Sequence, residues 1–408
     1  MVISIIGLGF VGLTTALSFA DKGNQVFGYD IDSEKIAILK NGKIPFEEPG
    51  LKEAMDRCLD KTFHVVSSLH ACVPQSDVVF FCVSTNAQKN GEVDLSHLKT
   101  AFDEAASVVP CEKKIVFAVK STVPPTTVSG ELTSLLRAYA DKQIIACSNP
   151  EFLREGYAWK DFNFADRIVV GTNDAHVRTV MQQLYAIFDA PICFVSCNTA
   201  EFIKYLSNSM LATMISFSNE MAMIADSFGD IEIKRAFDIL HMDGRFENGQ
   251  IVSYIHPGCG YGGYCLPKDV QAISYAAGNR ARLLKSVIAI NRERQEYISE
   301  RIVEHLDVCK EVTILGLSFK PNSDDVRESV AATVISILLE KGITCIFAYD
   351  PIAMKNFKKA YPHLNIVYKD SAEEAIQCAK TVVVLTAWEE FKQLNYTDKF
   401  LLDFRYYI

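Results

Sequence analysis

The segment Gly258-Cys259-Gly260-Tyr261-Gly262-Gly263-Tyr264-Cys265-Leu266-Pro267-Lys268-Asp269 sets a cysteine between a glycine-dense loop and a predicted helix. Glycines let backbone approach a ligand closely and adopt positive φ. Pro267 suits a first helical turn, where its missing N–H costs nothing. Cys265 beside a helix N-terminus, with Lys268 close in sequence, has a setting that favours the thiolate, the nucleophilic form. A turn holding a buried, inert thiol satisfies the same residues, and the stretch alone leaves the two readings balanced.

A second constellation is Gly7-Leu8-Gly9-Phe10-Val11-Gly12, which follows a predicted strand and opens a predicted helix. In that context Gly7 makes the tight turn, Gly9 lets backbone meet a pyrophosphate, and Gly12 allows close helix–strand packing. Phe10 and Val11 lie where the helix N-terminus offers N–H donors and positive dipole to phosphates. Asp30, ending the second strand, stands where an acid hydrogen-bonds the adenine ribose. A carboxylate there repels a 2′-phosphate, so NAD is favoured over NADP, with Lys35 near the same end of the cofactor. The other reading is a glycine turn with no ligand. The related turn Gly316-Leu317-Ser318-Phe319-Lys320 has one glycine and a lysine. It suits a nucleotide or phosphate-bearing group, not a second dinucleotide.

Further polar groups stand where apolar strands end, the position at which open α/β sheets bind ligands. Lys120-Ser121-Thr122-Val123-Pro124 follows one strand and Asn149-Pro150-Glu151-Phe152-Leu153-Arg154-Glu155-Gly156 the next. Either could face nicotinamide and substrate, or simply cap a helix. Lys204 and Asn208, four apart on a predicted helix, share one face. They read as a snorkelling lysine with a satisfied asparagine, or as a cation and an amide serving Cys265 and Asp269. Arg327 has acidic neighbours with which it could pair.

The elements that must position these residues fall into three parts. Strands are predicted at Val2–Ile6, Gln25–Tyr29, Val78–Val83, Ile115–Val119, Ile144–Ala146 and Ile168–Val170. Helices are predicted at Val11–Lys22, Ser33–Asn41, Leu95–Ser107 and Thr126–Tyr139. This alternation is the pattern of a parallel sheet covered by helices. Two long helical stretches follow, Thr199–Phe228 and Asp269–His305. The face Met210, Met214, Phe217, Met221 and Ile224 reads as core or a dimer interface. The strand–helix rhythm then returns, with strands at Val312–Phe319, Thr344–Tyr349 and Val382–Thr386 and a helix at Val330–Lys341. The expected fold is α/β: two doubly wound Rossmann-like domains joined by a central helical domain with a long connecting helix. The boundaries are 1–198 for NAD binding, 199–305 for the helical part and 306–408 for the second doubly wound domain.

Bulk properties narrow the class. The 408 residues carry a net charge of −9, with 49% apolar and 22% charged residues. No dense basic stripe marks a nucleic-acid surface. Apolar runs are strand-length, too short to span a bilayer, and Met1–Gly7 reads as a strand and not a leader. The twelve cysteines lack any CxxC pair, as expected of reduced thiols in a cytoplasm, with no zinc site or other metal.

Taken in order, GLGFVG, KSTVP, NPEFLREG, the Lys204/Asn208 pair, GYGGYCLPKD and the Lys320–Ser329 segment resemble the UDP-glucose/GDP-mannose dehydrogenase family along essentially the whole chain. Within it, the Tyr-Cys-Leu-Pro-Lys-Asp wording is most similar to short bacterial members that oxidise UDP-glucose at C6. Relatives acting on N-acetylated sugars usually carry His before the cysteine, whereas GDP-mannose members share Cys-Leu-Pro-Lys-Asp. His256 and Gly258 depart from several glucose-type relatives. The resemblance implies a four-electron oxidation to UDP-glucuronate, using two NAD in turn and water, through a thiohemiacetal and a thioester on Cys265. It implies that Lys204 and Asn208 stabilise oxyanions, that Asp269 works with a water in proton transfer, and that Glu151 and Glu155 are the candidate hydrolytic bases, with Thr122 positioning water. Phe10, Val11, Thr85, Thr122, Glu155 and Arg327 would join the NAD contacts. Glu151, Phe152, Leu153, Tyr254, Gly262 and Lys320 would line the nucleotide-sugar pocket with Lys204 and Asn208, and Arg245 would reach it from a partner subunit of a homodimer.

Three alternatives stay open at this stage. One is a GDP-mannose or UDP-N-acetylhexosamine 6-dehydrogenase. Another is a two-electron alcohol dehydrogenase that stops at the aldehyde and leaves Cys265 without a task. The third, from a different class, is a non-catalytic nucleotide-binding protein, which would need none of the polar set together.

Overall fold

Alternate residues of Val78–Phe81 and Lys114–Val119 are apolar on both faces of the chain, the pattern of a parallel strand covered on each side. A computed structural model, which describes residues 1–88, 90–246, 250–306 and 310–408, bears this out. Phe80, Val116 and Ala118 enter one core with Leu13, Leu17 and Phe19 of the helix Phe10–Asp21. Val79, Phe81, Ile115, Phe117 and Val119 enter the opposite core with Phe102 of the helix Ser96–Ser107. There the rings of Phe81, Phe102 and Phe117 meet with centroids 4.9–5.1 Å apart. Truncating one such buried phenylalanine costs about 3–5 kcal/mol.

The sheet comprises β1 (Val2–Ile6), β2 (Gln25–Tyr29), β3 (Phe63–Val65), β4 (Val78–Phe81), β5 (Lys114–Val119), β6 (Gln143–Ser148), β7 (Ile168–Gly171) and β8 (Ile192–Val195). Their order is β3-β2-β1-β4-β5-β6-β7-β8, parallel throughout except for β6 against β7. The order reverses between β1 and β4, so the carboxyl ends of these central strands frame a ligand crevice. A second sheet, wholly parallel, has the order β11-β10-β9-β12-β13. Its strands are β9 (Glu311–Leu315), β10 (Cys345–Tyr349), β11 (Val367–Tyr368), β12 (Thr381–Val384) and β13 (Phe400–Asp403).

The chain divides into two units, Met1–Leu206 and Ser207–Ile408. A helix of 32 residues, Cys197–Phe228, runs on from the first into the second, about 48 Å at 1.5 Å per residue. Among the described residues no helix is long and apolar enough to cross a membrane.

Four expectations are corrected. The helical stretch Asp269–His305 is two helices, Cys265–Ala277 and Arg282–Glu304, separated at Gly278 with φ +56°. The expected helix Thr126–Tyr139 winds as three short pieces, a π-turn Thr127–Leu132, one α-turn and a 3₁₀ turn Leu136–Tyr139. Gly130 and the left-handed Thr126 deprive it of a regular first turn. The strand from Val312 stops at Leu315, because Gly316 turns away with φ +93°. The fourth concerns the start of the helix at Cys265, which begins on the cysteine and not after it. Pro267 is then its third residue, still among the four whose N–H has no intrahelical partner. Not expected from sequence are the short strands β3, β8, β11 and β13 and the helices Leu51–Cys58, Ala158–Asn163, Ala175–Tyr185, Met354–Ala360 and Ala372–Cys378.

Candidate active site

In the first unit β1 hands over to the helix Phe10–Asp21 through Gly7 with φ +92°. A Cβ on Gly7 would lie 2.8 Å from the Cys82 carbonyl oxygen, and one on Gly12 1.8 Å from that of Gly7. At Gly9 nothing lies within 4 Å of where a Cβ would stand, so the backbone there is open to a ligand. No side chain caps the helix, leaving the first-turn amides of Phe10, Val11 and Gly12 to face an anion. Asp30 is buried at the end of β2; its Oδ2 accepts the Leu8 amide at 2.7 Å and Lys35 Nζ at 2.8 Å, and its Oδ1 the Asp32 amide at 3.0 Å. These residues fit a dinucleotide: donors for phosphate, room at Gly9 and a carboxylate for ribose.

The ends of β4 to β6 carry the polar groups of this unit. The Thr85 hydroxyl donates to the Thr122 carbonyl at 2.8 Å, tying two of the expected cofactor residues together. Lys120 is buried and donates to Asn149 Oδ1 at 3.1 Å, where Tyr185 also donates at 2.6 Å. Burial lowers the Lys120 ammonium to about 8, despite the opposing pull of Cys82 and Glu151. Glu151 is buried with Lys204, whose Nζ reaches Oε1 at 2.9 Å while the Leu153 amide reaches Oε2 at 2.5 Å. Burial pushes the Glu151 carboxyl up, but Lys204, the Leu153 amide and Lys120 together hold it below the ordinary value. The Phe152 ring has Arg167 4.1 Å and Lys204 5.6 Å from its centroid. Glu155 is half-buried beside Gly156, whose φ is +77°. Buried Glu48 holds that turn, accepting the Gly156 amide at 2.6 Å and the Ala158 amide at 2.8 Å.

In the second unit Cys265 is exposed as the first residue of its helix. One turn on, Asp269 is fully buried. Its Oδ2 accepts Asn208 Nδ2 at 2.6 Å, and its Oδ1 lies 2.6 Å from Lys268 Nζ. Lys268, read from sequence as a neighbour of the thiol, is thus engaged by Asp269, and it also lies 5.5 Å from the Tyr264 ring centroid. The Arg327 guanidinium also lies over that ring, 4.4 Å from its centroid, and pairs with Asp325 at 2.5 Å, the pairing with acidic neighbours that its sequence allows. Burial pushes the Tyr264 phenol up in spite of both cations.

The glycines before Cys265 have a structural cause. A Cβ on Gly262 would lie 2.3 Å from the Glu328 carbonyl oxygen, and Gly263, with φ +75°, sits under the Phe319 ring. Gly258 leaves room for Arg405, whose nearest nitrogen would stand 3.0 Å from a Cβ there. His256 is half-buried against His241, ring centroids 4.6 Å apart. Tyr254 ends a 3₁₀ turn, Gln250–Tyr254, and Lys320 is half-buried over Phe319 at 5.2 Å. Arg245 lies in the turn Gly244–Phe246, and its side chain is outside the described residues.

Lys204 and Asn208 are one turn apart on the helix Cys197–Phe228, each holding a buried carboxylate, Glu151 and Asp269 respectively. Sequence reasoning missed Glu48, Tyr185 and Glu201, whose partners are distant in the chain. Among the described residues no cluster of three or more His, Cys, Asp or Glu side chains is placed to hold a metal ion.

Three family models match the chain. Residues 1–189 match the NAD binding domain of the UDP-glucose/GDP-mannose dehydrogenase family, 198–293 its central domain and 313–408 its UDP binding domain. A UDP-glucose 6-dehydrogenase of Bacillus subtilis is 37% identical over 402 residues, covering 96% of this chain and 89% of the relative. One of Rickettsia conorii is 35% identical over 421 residues, covering 99% and 95%. Among solved structures, a UDP-glucose dehydrogenase from the archaeon Pyrobaculum islandicum superposes with a TM-score of 0.93 at 33% identity, covering 99% of this chain and 94% of that one.

Proposed function

The chain belongs to the UDP-glucose/GDP-mannose dehydrogenase family, and from that footing we propose that it oxidises UDP-glucose at C6 to UDP-glucuronate. It is an NAD-dependent nucleotide-sugar dehydrogenase. The four-electron reading rests on one observation: Cys265 is exposed at the head of its helix while Asp269, one turn on, is buried and held by Asn208.

NAD, when bound, supplies the hydride acceptor for both oxidations. Gly7, Gly9, Phe10, Val11, Gly12, Asp30 and Lys35 would hold it, with Thr85, Thr122, Glu155 and Arg327 completing the set. The C6 alcohol loses a hydride and a proton to become an aldehyde, which has no second hydride to give until it is made tetrahedral. The Cys265 thiolate adds to that carbon and the oxygen takes a proton. Loss of a second hydride and the hydroxyl proton leaves a thioester. Water adds, the C–S bond breaks and the thiolate returns. Overall the alcohol and one water yield a carboxylate, two hydrides and three protons.

Lys204 and Asn208 supply preorganised donors where oxygen becomes anionic. Lys204 is shared, and this couples two roles. While it pairs with Glu151, that carboxylate stays ionised and a weak base; when Lys204 turns to a substrate oxyanion, Glu151 loses its cation and gains basicity. Asp269, with Asn208 on one oxygen, relays protons through a water. Glu155 shares the hydrolytic role, and Phe152, Leu153, Tyr254, Gly262, Lys320 and a partner subunit's arginine at 245 line the sugar-nucleotide pocket.

The domain plan is 1–198, 199–305 and 306–408, and the working unit is a homodimer. Supporting the dimer, Met210, Phe217, Met221 and Ile224 recur along one face of the helix Cys197–Phe228 and are 38–50% exposed. None of the described cysteines is bridged, which supports a cytoplasmic setting. Two NADH formed per UDP-glucose, with UDP-glucuronate as product, is the expected result. One NADH and a released aldehyde would refute the four-electron scheme, and faster turnover of GDP-mannose or a UDP-N-acetylhexosamine would move the substrate.

A further inference from the structure

Glu201 lies three residues before Lys204 on the same helix, is 2% exposed, and has no part in the reaction described above. Its Oε2 accepts the Thr126 amide at 2.8 Å and its Oε1 the Val128 amide at 2.9 Å. Those amides end the loop that begins at Thr122. Thr126 has φ +82°, a left-handed conformation that a β-branched residue adopts only when its surroundings impose it. Beyond it the backbone winds as a π-turn, Thr127–Leu132, in place of a regular helical start. The other end of the loop is fixed by the Thr85 hydroxyl on the Thr122 carbonyl. Thr122 is thus suspended between two anchors, one of them an ionisable carboxyl.

We infer that Glu201 is a positioning residue: by gripping the Thr126 and Val128 amides it holds the loop that carries Thr122, so that the state of its carboxyl governs how well water is placed for thioester hydrolysis. This rests on the proposed function, in which Thr122 positions that water. A carboxylate accepts both amides, whereas the protonated group turns one oxygen into a donor that faces an N–H. Burial raises the Glu201 carboxyl to about 7, against the lowering effect of the amides. The charged and titratable groups around it do not compete for it. On its own helix Cys197 faces it, with its thiol raised chiefly by burial and secondarily by Glu201, and Lys204 is engaged by Glu151. From the loop side, Glu131 is exposed and paired with Lys99. The loop is therefore firm above neutrality and slack below it.

The test is Glu201→Gln, whose amide keeps one acceptor and presents a donor to the second N–H. With UDP-glucose and NAD at pH 8, kcat should fall roughly tenfold or more, equivalent to the loss of one charge-assisted hydrogen bond. KM for the sugar should stay within about twofold, and an acyl adduct on Cys265 should accumulate in intact-mass spectra. The limb of the kcat–pH profile near 7 should vanish. Glu201→Asp, which keeps the carboxylate on a shorter arm, should recover part of kcat and a shifted limb, and it carries the test if the glutamine variant does not fold. An unchanged limb, or a loss of kcat with no adduct and no recovery in the aspartate variant, overturns the inference. Infrared difference spectra of the unliganded protein should contain a carboxyl titrating near 7 that is absent from Glu201→Gln. Lack of that signal overturns the inference even if the wild-type protein proves inactive on UDP-glucose, an outcome that would instead remove the functional reading.

Discussion

Replacing Lys204 with methionine keeps length and removes charge, and the geometry around Glu151 fixes what should follow. In the wild-type protein the buried carboxylate is held ionised by Lys204 at 2.9 Å, helped by the Leu153 amide and Lys120. Its folded-state pKa is depressed, so it contributes stability at pH above the unfolded value that is lost as pH falls. Without Lys204 the largest influence, burial, prevails and raises the carboxyl. A raised carboxyl has the opposite linkage: it lowers stability as pH rises. The stability gap between the two proteins should therefore widen with pH. At pH 8, where the carboxylate would be buried without its main partner, the gap should be about 3–5 kcal/mol. At pH 5 protonation of Glu151 relieves most of that cost. Urea unfolding at both pH values measures the gap, and NADH production measures catalysis, where losing one oxyanion donor costs about 10²–10³ in kcat. A gap that is equal at the two pH values would refute the claim that Lys204 sets the ionisation of Glu151, whatever happens to activity.

Other outcomes follow from single contacts. Asp30→Asn keeps the size but gives up charge on the acid that holds the Leu8 amide and Lys35; the NAD Kd should rise roughly tenfold, the worth of one charge-assisted hydrogen bond, and an unchanged Kd by calorimetry would count against the cofactor assignment. Cys265→Ser should bind NAD normally yet fail to sustain turnover; normal steady-state rates would sink the thiol mechanism. Gly262→Ala places a methyl 2.3 Å from the Glu328 carbonyl oxygen, an overpacking worth about 1–3 kcal/mol, and its melting temperature should drop accordingly. Phe217→Glu on the exposed helix face should halve the mass seen by light scattering, and a persistent dimer would place the interface elsewhere.

How far the sequence could be read depended on the range of the interactions. Gly7, Gly12 and Asp30 were legible because strand, turn, helix and second strand are contiguous, and their roles require those residue types wherever the pattern occurs. The polar segments at Lys120 and Asn149 were legible as strand ends. Their partners were not, since Asn149 is bonded by Tyr185 and the Glu155 turn is held by Glu48, 108 residues from Gly156. Gly262 was read as an approach to ligand, whereas the contact that demands a glycine there is the Glu328 backbone. Lys268 illustrates the limit of spacing arguments. Read as a neighbour of the thiol, it pairs with Asp269, one residue away in sequence. Period alone likewise could not tell one helix from two across Gly278.

The two sheets repeat one device, and the difference between the copies decides which of them can take a dinucleotide. In the first unit the Gly7 amide donates to the Tyr29 carbonyl at 2.8 Å; in the second the Gly316 amide donates to that of Tyr349 at 2.9 Å. Each tyrosine precedes an aspartate that binds the turn: Asp30 accepts the Leu8 amide, and Asp350 the Leu317 amide at 2.8 Å. A carboxylate offers about four lone-pair sites. Asp350 also takes Ser318 through its amide and hydroxyl, Trp388 Nε1, and the Ile352 and Ala353 amides, so it is saturated from within. Among the described residues Asp30 takes Asp32 and Lys35 besides Leu8, and the Lys35 side chain is 27% exposed. Capacity for a ribose hydroxyl thus remains at Asp30 and not at Asp350. Titration calorimetry with NAD should give one site per chain, weakened roughly tenfold in Asp30→Asn and unchanged in Asp350→Asn wherever that variant folds. A second dinucleotide site that survives in Asp30→Asn would show that saturation of Asp350 is not what closes the second turn.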